Sequence, residues 1–245
     1  AGVPVAPVRF ALAPADWRGA GYVMERVAGE TIARRILRQE CYAAARAAMA
    51  GQCGEILART HSAELARLSG LAVLTPEVQL DQYRAFLDRL GEPHPVFELA
   101  LRWLEEQLPP ARPLRLVHGD FRNGNFIVGP EGIRAVLDWE LAHLGDPMED
   151  LGWLCVRSWR YGENDKPVGG FGQREELFAA YEAAGGAPID PATVLFWEVF
   201  GTLRWGEICL YQAFRHLSGL HRSVELAAIG RRASETEWDL LALIG

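Results

Sequence analysis

The chain opens on residues 1–20, which read as extended or loop, broken by Pro4, Pro7 and Pro14, with Val8-Arg9-Phe10 a candidate strand. Gly21 to Glu25 is strand-like, and Gly29 punctuates it. Apolar positions then recur at helical spacing from about Thr31 to Leu68, in a stretch rich in Ala and Arg, both good helix formers. Gly51 and Gly54 are expected to split this stretch into two helices. Pro76 and Gly91-Glu92-Pro93 bracket another helix around 77–90. Val96 to Leu108 predicts a further helix, with Leu99, Trp103 and Leu104 on one face and Pro109-Pro110 ending it. In the middle of the chain the period shortens. Leu114 to Val117 is a short strand, and Phe126-Ile127-Val128 and Ile133 to Leu137 are two more, joined by Gly129-Pro130-Glu131-Gly132, a hairpin signal. After Gly145-Asp146-Pro147 the helical pattern returns, and Arg160 to Gly172 is a polar, Gly-rich connection. Helices near 173–184, 191–217 and 223–243 complete the chain. The expected fold is α+β, mostly helical, with a small β-hairpin insertion.

Polar residues concentrate beside that hairpin. His118 to Asn125 is a polar loop, and Asp138 closes the returning strand. A turn centred between Pro130 and Glu131 sets Asn125 near residue 136, with Asp138 two residues beyond, within about 7 Å at ~3.4 Å per residue. An amide oxygen and a carboxylate then converge at the open end of the hairpin, and the loop bearing Asp120 leads into the same end. A few hard oxygen ligands suit Mg²⁺, which keeps several waters and takes its remaining ligands from substrate phosphates. Asp120 beside such a metal could accept a proton from an incoming hydroxyl. Each residue alone has an ordinary explanation: Asp120 ordering a turn, Asn125 a turn residue, Asp138 a surface residue on an edge strand.

Composition narrows the classes of partner. A net charge of −7 argues against nucleic acid or an anionic membrane surface, both of which reward basic patches. No apolar run approaches the roughly 20 residues that span a bilayer, and the opening segment lacks the basic start and cleavage site of a signal peptide. Cys41, Cys53, Cys155 and Cys209 are far apart with no C-x-x-C pair, so a reducing cytoplasm is the expected location. The histidines have no metal-ligand spacing, and zinc is not expected.

The stretch His118-Gly119-Asp120 with Asn125, followed by Asp138, resembles the H-G-D-x-x-x-x-N…D pattern of aminoglycoside phosphotransferases and related choline, homoserine and fructosamine kinases. The resemblance implies a protein-kinase-like C-terminal lobe that uses ATP and Mg²⁺ to phosphorylate a hydroxyl of a small molecule. By it, Asp120 is the catalytic base, Asn125 and Asp138 hold the metal, His118 is structural, and Asp150 is buried and hydrogen-bonded to the catalytic loop. Tyr22-Val-Met-Glu-Arg-Val-Ala-Gly-Glu resembles the hinge between lobes, whose backbone around Met24, Glu25 and Val27 receives adenine. Leu57-Ala-Arg-Thr-His61 and Gly145-Asp-Pro-x-x-Asp150-Leu match further family segments. Phe171 to Tyr181 and Phe196 to Trp205 look like the substrate subdomain of the branch related to kinase-like domains of acyl-CoA dehydrogenase fusion proteins. The implied division is 1–29 as hinge and remnant of a first lobe, and 30–245 as the C-terminal lobe. Within the latter lie a catalytic loop over 116–140 and a helical substrate subdomain over about 150–245.

The sequence also departs from that pattern. A complete member begins with a β-rich lobe carrying a phosphate-covering loop and a lysine, and neither is found before the hinge. The one lysine is Lys166, far downstream. The expectation is that a first lobe is missing from this chain, which alone would bind ATP poorly. Two other readings stay open: a kinase-like binding or regulatory module without turnover, and metal-assisted phosphate-ester hydrolysis. The aromatic face of Phe196, Trp197, Phe200 and Trp205 is expected to be core, Glu140 a solvated or structural residue, and Glu163, Asp165, Glu175 and Glu176 a solvated surface. Neither the acceptor, with a hydroxyacyl compound as plausible as an aminoglycoside, nor the oligomeric state is legible.

Overall fold

Strands β1 (Val8–Ala11) and β2 (Tyr22–Met24) pair antiparallel at the start of the chain. The computed structural model describes residues 2–13 and 21–245, so part of the opening segment read as extended, 14–20, lies outside the described residues. Helices α1 (Ala33–Arg38), α2 (Ala43–His61), α3 (Pro76–Leu90) and α4 (Pro95–Glu106) follow. Next come β3 (Arg115–Val117), β4 (Phe126–Gly129), β5 (Gly132–Val136) and β6 (His143–Gly145). The rest is helical: α5 (Met148–Cys155), α6 (Arg174–Ala183), α7 (Pro191–Leu217), α8 (Val224–Gly230) and α9 (Ala233–Ile244). The clearest boundaries carry their own chemistry. Thr75 caps α3 ahead of Pro76, Gly91 ends it in a left-handed conformation, and Asp190 caps α7 ahead of Pro191. The core forms where α2 packs on α6 and α5 on α7, with α8 and α9 against α7. Phe196, Trp197 and Phe200 are fully buried there and Trp205 is half-buried, as their helical spacing predicts.

Three expectations are corrected, and one strand is added. Gly51 and Gly54 do not interrupt α2; the break lies earlier, at the extended Gln39. Gly54 serves packing instead, because a Cβ there would stand 2.5 Å from the Leu177 carbonyl oxygen and 2.7 Å from the Tyr181 nitrogen of α6. On α4 the buried face is Phe97, Ala100, Leu101 and Leu104, while Leu99 is 48% exposed. The last expected helix is two, α8 ending at Gly230, a poor helix former. Strand β6 was not anticipated, since its three residues gain strand character only by pairing with the distant β3.

Backbone contacts fix the hairpin β4–β5 on both edges. Glu30 exchanges two hydrogen bonds with Val128, each 2.9 Å, and Val136 N–H donates to the Pro4 carbonyl at 2.9 Å. The Gln52 side chain accepts from Ile133 N–H at 2.8 Å, tying the hairpin to α2. The register shifts between Ile127 and Val128, so Phe126 pairs with Val136, and Leu137 N–H donates to the Asn125 carbonyl at 2.8 Å. This bulge moves the partner of Asn125 one residue past the expected 136 and makes Asp138 the next residue.

The loop after β3 is held from below by Asp150 on α5, which has no solvent exposure. Its Oδ2 accepts from His118 N–H at 2.8 Å and its Oδ1 from Gly119 N–H at 3.0 Å. His61, at the end of α2, donates from Nε2 to Oδ2 at 3.2 Å, and the Tyr181 hydroxyl lies 2.9 Å from its Nδ1. One carboxylate thus joins α2, α5 and the loop. Burial pushes its pKa up, but the bonds from His61 and from the His118 backbone, with both imidazoles nearby, outweigh it and hold the group below its ordinary 3.8.

Two predictions follow from these contacts. Gly54→Ala is expected to lower stability by about 2 kcal/mol through overpacking against α6. Gly51→Ala, whose Cβ would meet only the Ala180 Cβ at 3.9 Å, should be neutral or slightly stabilising; urea unfolding of both variants checks the pair. Asp150→Asn should cost about 3 kcal/mol, because an amide cannot accept from three donors as a carboxylate does. A lowered folded-state pKa means that this contribution is complete above the unfolded-state value and lost as pH falls through the folded one. The gap between wild type and Asp150→Asn in thermal unfolding should therefore be level above about pH 5 and shrink below about pH 4.

Candidate active site

The loop 118–125 takes its shape from two residues. Gly119 has φ +79°, and a Cβ there would lie 2.5 Å from the Leu141 carbonyl oxygen, so only glycine fits. His118 is buried, and its Nε2–H donates to the Leu137 carbonyl at 2.9 Å while its Nδ1 accepts from Asp120 N–H at 3.1 Å. One donor and one acceptor describe a neutral ring. Burial accordingly lowers its pKa, against the pull of Asp150. The imidazole also packs 4.4 Å from the Trp139 ring, so it braces the loop against the turn that follows Asp138.

That loop presents Asp120 half-buried, with both carboxylate oxygens engaged. Oδ2 accepts from Asn125 Nδ2 at 2.6 Å, and Oδ1 accepts from Trp153 Nε1 at 2.8 Å and Arg122 Nε at 2.9 Å. Asn125 Nδ2 also reaches the Asp120 carbonyl at 2.9 Å. An amide that spends its NH₂ on Asp120 turns its Oδ1 to the other side. Asp138 follows Leu137, the strand partner of Asn125. It is exposed, adopts left-handed backbone angles (φ 64°) and makes no capping bond to the turn it precedes. The structure therefore brings Asp120 and Asn125 into direct contact and sets Asp138 beside the strand position of Asn125.

Met24, Glu25 and Val27 lie on a separate segment. Met24 is in the β1–β2 ladder and 44% exposed, and Glu25 N–H donates to the Pro7 carbonyl at 2.9 Å. From there the chain runs to Glu30 and its bridge with Val128, so this segment and the hairpin that carries Asn125 form one backbone network. Among the described residues no three His, Cys, Asp or Glu side chains gather as a metal cluster. The Asn125 amide oxygen and the Asp138 carboxylate remain as two hard donors, a set that suits an ion completing its shell with water and phosphate oxygens.

Sequence reasoning did not single out Arg122 and Trp153. Arg122 sits two residues after Asp120, and Trp153 sits one helical turn after Asp150, on the face that meets the loop. Behind them two tryptophans stack between two arginines. Arg122 stacks 4.5 Å over Trp159, Trp159 lies 5.1 Å from Trp153 and 4.9 Å from Trp205, and Arg204 stacks 4.7 Å over Trp153. A cavity of about 880 Å³ opens nearby, lined by Arg34, Arg157, Tyr161, Arg232, Glu235 and Trp238 among others. The Tyr161 hydroxyl donates to the Asn123 carbonyl at 3.3 Å, which joins that wall to the loop. Glu140, Glu163, Asp165, Glu175 and Glu176 are all exposed, as expected of solvated residues.

The chain is similar to known proteins in sequence and in fold. Two curated relatives are acyl-CoA dehydrogenase family members. Member 10 of Mus musculus is 47% identical over 64 residues, covering 25% of this chain and 6% of the relative. Member 11 of Homo sapiens is 30% identical over 182 residues, covering 65% and 22%. The chain thus spans less than a quarter of either relative's length. Among solved structures, a Ralstonia eutropha protein assigned to the aminoglycoside phosphotransferases superposes with TM-score 0.78 at 24% identity, over 98% of this chain and 78% of that one. A choline/ethanolamine kinase family protein from Mesorhizobium loti gives 0.68 at 22%, over 98% and 73%. An aminoglycoside phosphotransferase from Streptomyces rimosus, solved with ADP and streptomycin, gives 0.56 at 20%, over 83% and 77%. These likenesses show a kinase-like fold. Residues 1–187 match the family model described as "Phosphotransferase enzyme family", and the chain belongs to that family.

Proposed function

We propose that the protein transfers the γ-phosphoryl group of ATP to a hydroxyl of a small molecule, with Asp120 as the base. The observation that carries this reading is the Asp120–Asn125 hydrogen bond at the open end of a hairpin whose next exposed carboxylate is Asp138. Asp120 would take the proton of the acceptor hydroxyl as its oxygen bonds to phosphorus, and ADP would leave with the bridging oxygen. Trp153, Arg122 and Asn125 hold the Asp120 carboxylate in one orientation, a positioning effect on which phosphoryl transfer relies. Asn125 and Asp138 would hold Mg²⁺, which when bound neutralises phosphate charge. The backbone of Met24, Glu25 and Val27 would receive the adenine, and ADP in the Streptomyces rimosus relative supports nucleotide use.

For the acceptor, the 880 Å³ cavity is large enough for a small molecule. On its walls Arg157 pairs with Asp239 at 3.1 Å and Arg232 with Glu235 at 3.0 Å, and Arg34 adds one further positive charge, which suits an acceptor bearing an anionic group better than a polycation. Cys41, Cys53, Cys155 and Cys209 are unbridged, in keeping with a reducing cytoplasm. No helix among the described residues is long and apolar enough to cross a membrane.

Acceptor-dependent ADP release by the full-length protein, measured across a panel of hydroxyl compounds, tests the reading. Asp120→Ala should lower kcat at least ~100-fold while leaving nucleotide affinity nearly unchanged. Asp138→Asn should remove the Mg²⁺-dependent part of nucleotide binding, read by calorimetry. Turnover that survives Asp120→Ala would reject the assigned base. Nucleotide binding without any acceptor-dependent turnover would favour a binding module.

A further inference from the structure

A second cavity, about 230 Å³, lies between Gln82, Tyr83 and Phe86 of α3 and Glu207, Ile208 and Tyr211 of α7. Glu207 lines it and is only 3% exposed, and its Oε1 has no hydrogen-bond partner. The other buried acids are provided for. Glu149 accepts from Gln79, His143 and Arg204, Glu198 from Arg160 and Arg174, and Asp146 from Met148 N–H and Trp197. A buried carboxyl oxygen without a donor costs stability, and an apolar residue of similar size would avoid that cost. Burial pushes the Glu207 carboxyl up to about 9, so in the free protein it is neutral at pH 7. Arg204, one turn earlier on α7, is turned to Glu149 and the Trp153 ring.

Three of the other five lining residues are aromatic. Tyr83, Phe86 and Tyr211 line the cavity together with Glu207, the Phe86 and Tyr211 rings edge to face at 6.4 Å between centroids. An acid without a counter-charge among aromatic faces is complementary to a cation, which can pair with the carboxylate and lie against the rings. The volume is below that of a drug-sized pocket, so the ligand is small. The cavity stands apart from Asp120, with Arg204 and Trp153 between them in the sequence of contacts.

We propose that this cavity binds a small organic cation, an ammonium group on a short apolar body, whose charge pairs with Glu207 as the carboxyl gives its proton to solvent, while its body rests on Tyr83, Phe86 and Tyr211. The site is independent of phosphoryl transfer at Asp120.

Phenethylammonium is a suitable probe, and the uncharged 2-phenylethanol is its control. In isothermal titration of the full chain, phenethylammonium should bind at least ~10-fold more tightly than the alcohol. Glu207→Gln should remove that preference without changing Tm, since the native carboxyl is already neutral in the free protein. Tyr211→Ala, at a position 47% exposed, should weaken binding several-fold without unfolding the chain. Asp120→Ala should leave binding unchanged, which separates this site from the acceptor cavity. No binding up to ~10 mM, equal binding of the alcohol, or unchanged binding by Glu207→Gln would overturn the proposal.

Discussion

The carboxylate of Asp150 is the interaction on which the candidate site rests. It lies beneath the loop with no solvent contact and accepts two consecutive backbone N–H groups, from His118 and Gly119, while His61 donates from the side. Those N–H groups belong to a loop too tightly bent to pair them within itself, and without Asp150 they would be buried donors with no acceptor. A carboxylate meets this need better than a carbonyl, since it offers two oxygens with several lone pairs and a full charge. The same contact ties α2 to α5, so the fold of the helical body and the geometry of the loop are not separable.

From that anchor the loop is placed by contacts of short reach. Gly119 takes a backbone conformation and a closeness to Leu141 that no side chain permits, and the neutral His118 ring spans the Asp120 N–H and the Leu137 carbonyl. The loop and the residue before Asp138 are therefore joined through one imidazole. The hairpin bulge completes the arrangement by setting Asn125 opposite Leu137. Asp120 and Asn125 lie on one loop and Asp138 directly follows Leu137, so all three are tied to one frame by bonds at or beside them. Preorganisation of this kind suits phosphoryl transfer, which gains mainly from position and charge.

Arginine and tryptophan shape the surroundings. Arg122, Trp159, Trp153 and Arg204 stack in that order behind Asp120, and the planar guanidinium groups lie on the rings while their N–H edges reach carboxylates. Glu207 stands one helical turn beyond this layering and lacks what the other buried acids have. That contrast, rather than burial alone, distinguishes the small cavity between α3 and α7.

Much of this was legible in the residues. Periodicity located most helices, the Gly129–Gly132 turn announced the hairpin, and the motif from His118 to Asp138 pointed to phosphotransfer, because these signals are local and carried by residue type and spacing. The register of Asn125 was one residue off because a bulge leaves no mark in a hydrophobic pattern. Gly54 was misread as a helix breaker, since its purpose depends on α6, more than a hundred residues away. Leu99 was misplaced because a helix face can be assigned only once its neighbours are known. Trp153 and Arg122 as partners of Asp120, the strand β6 and the unpartnered Glu207 were decided by the tertiary structure alone. The sequence by itself nominated the residues of the candidate site; folding decided what each of them touches, because contacts between distant segments depend on packing that no local window contains.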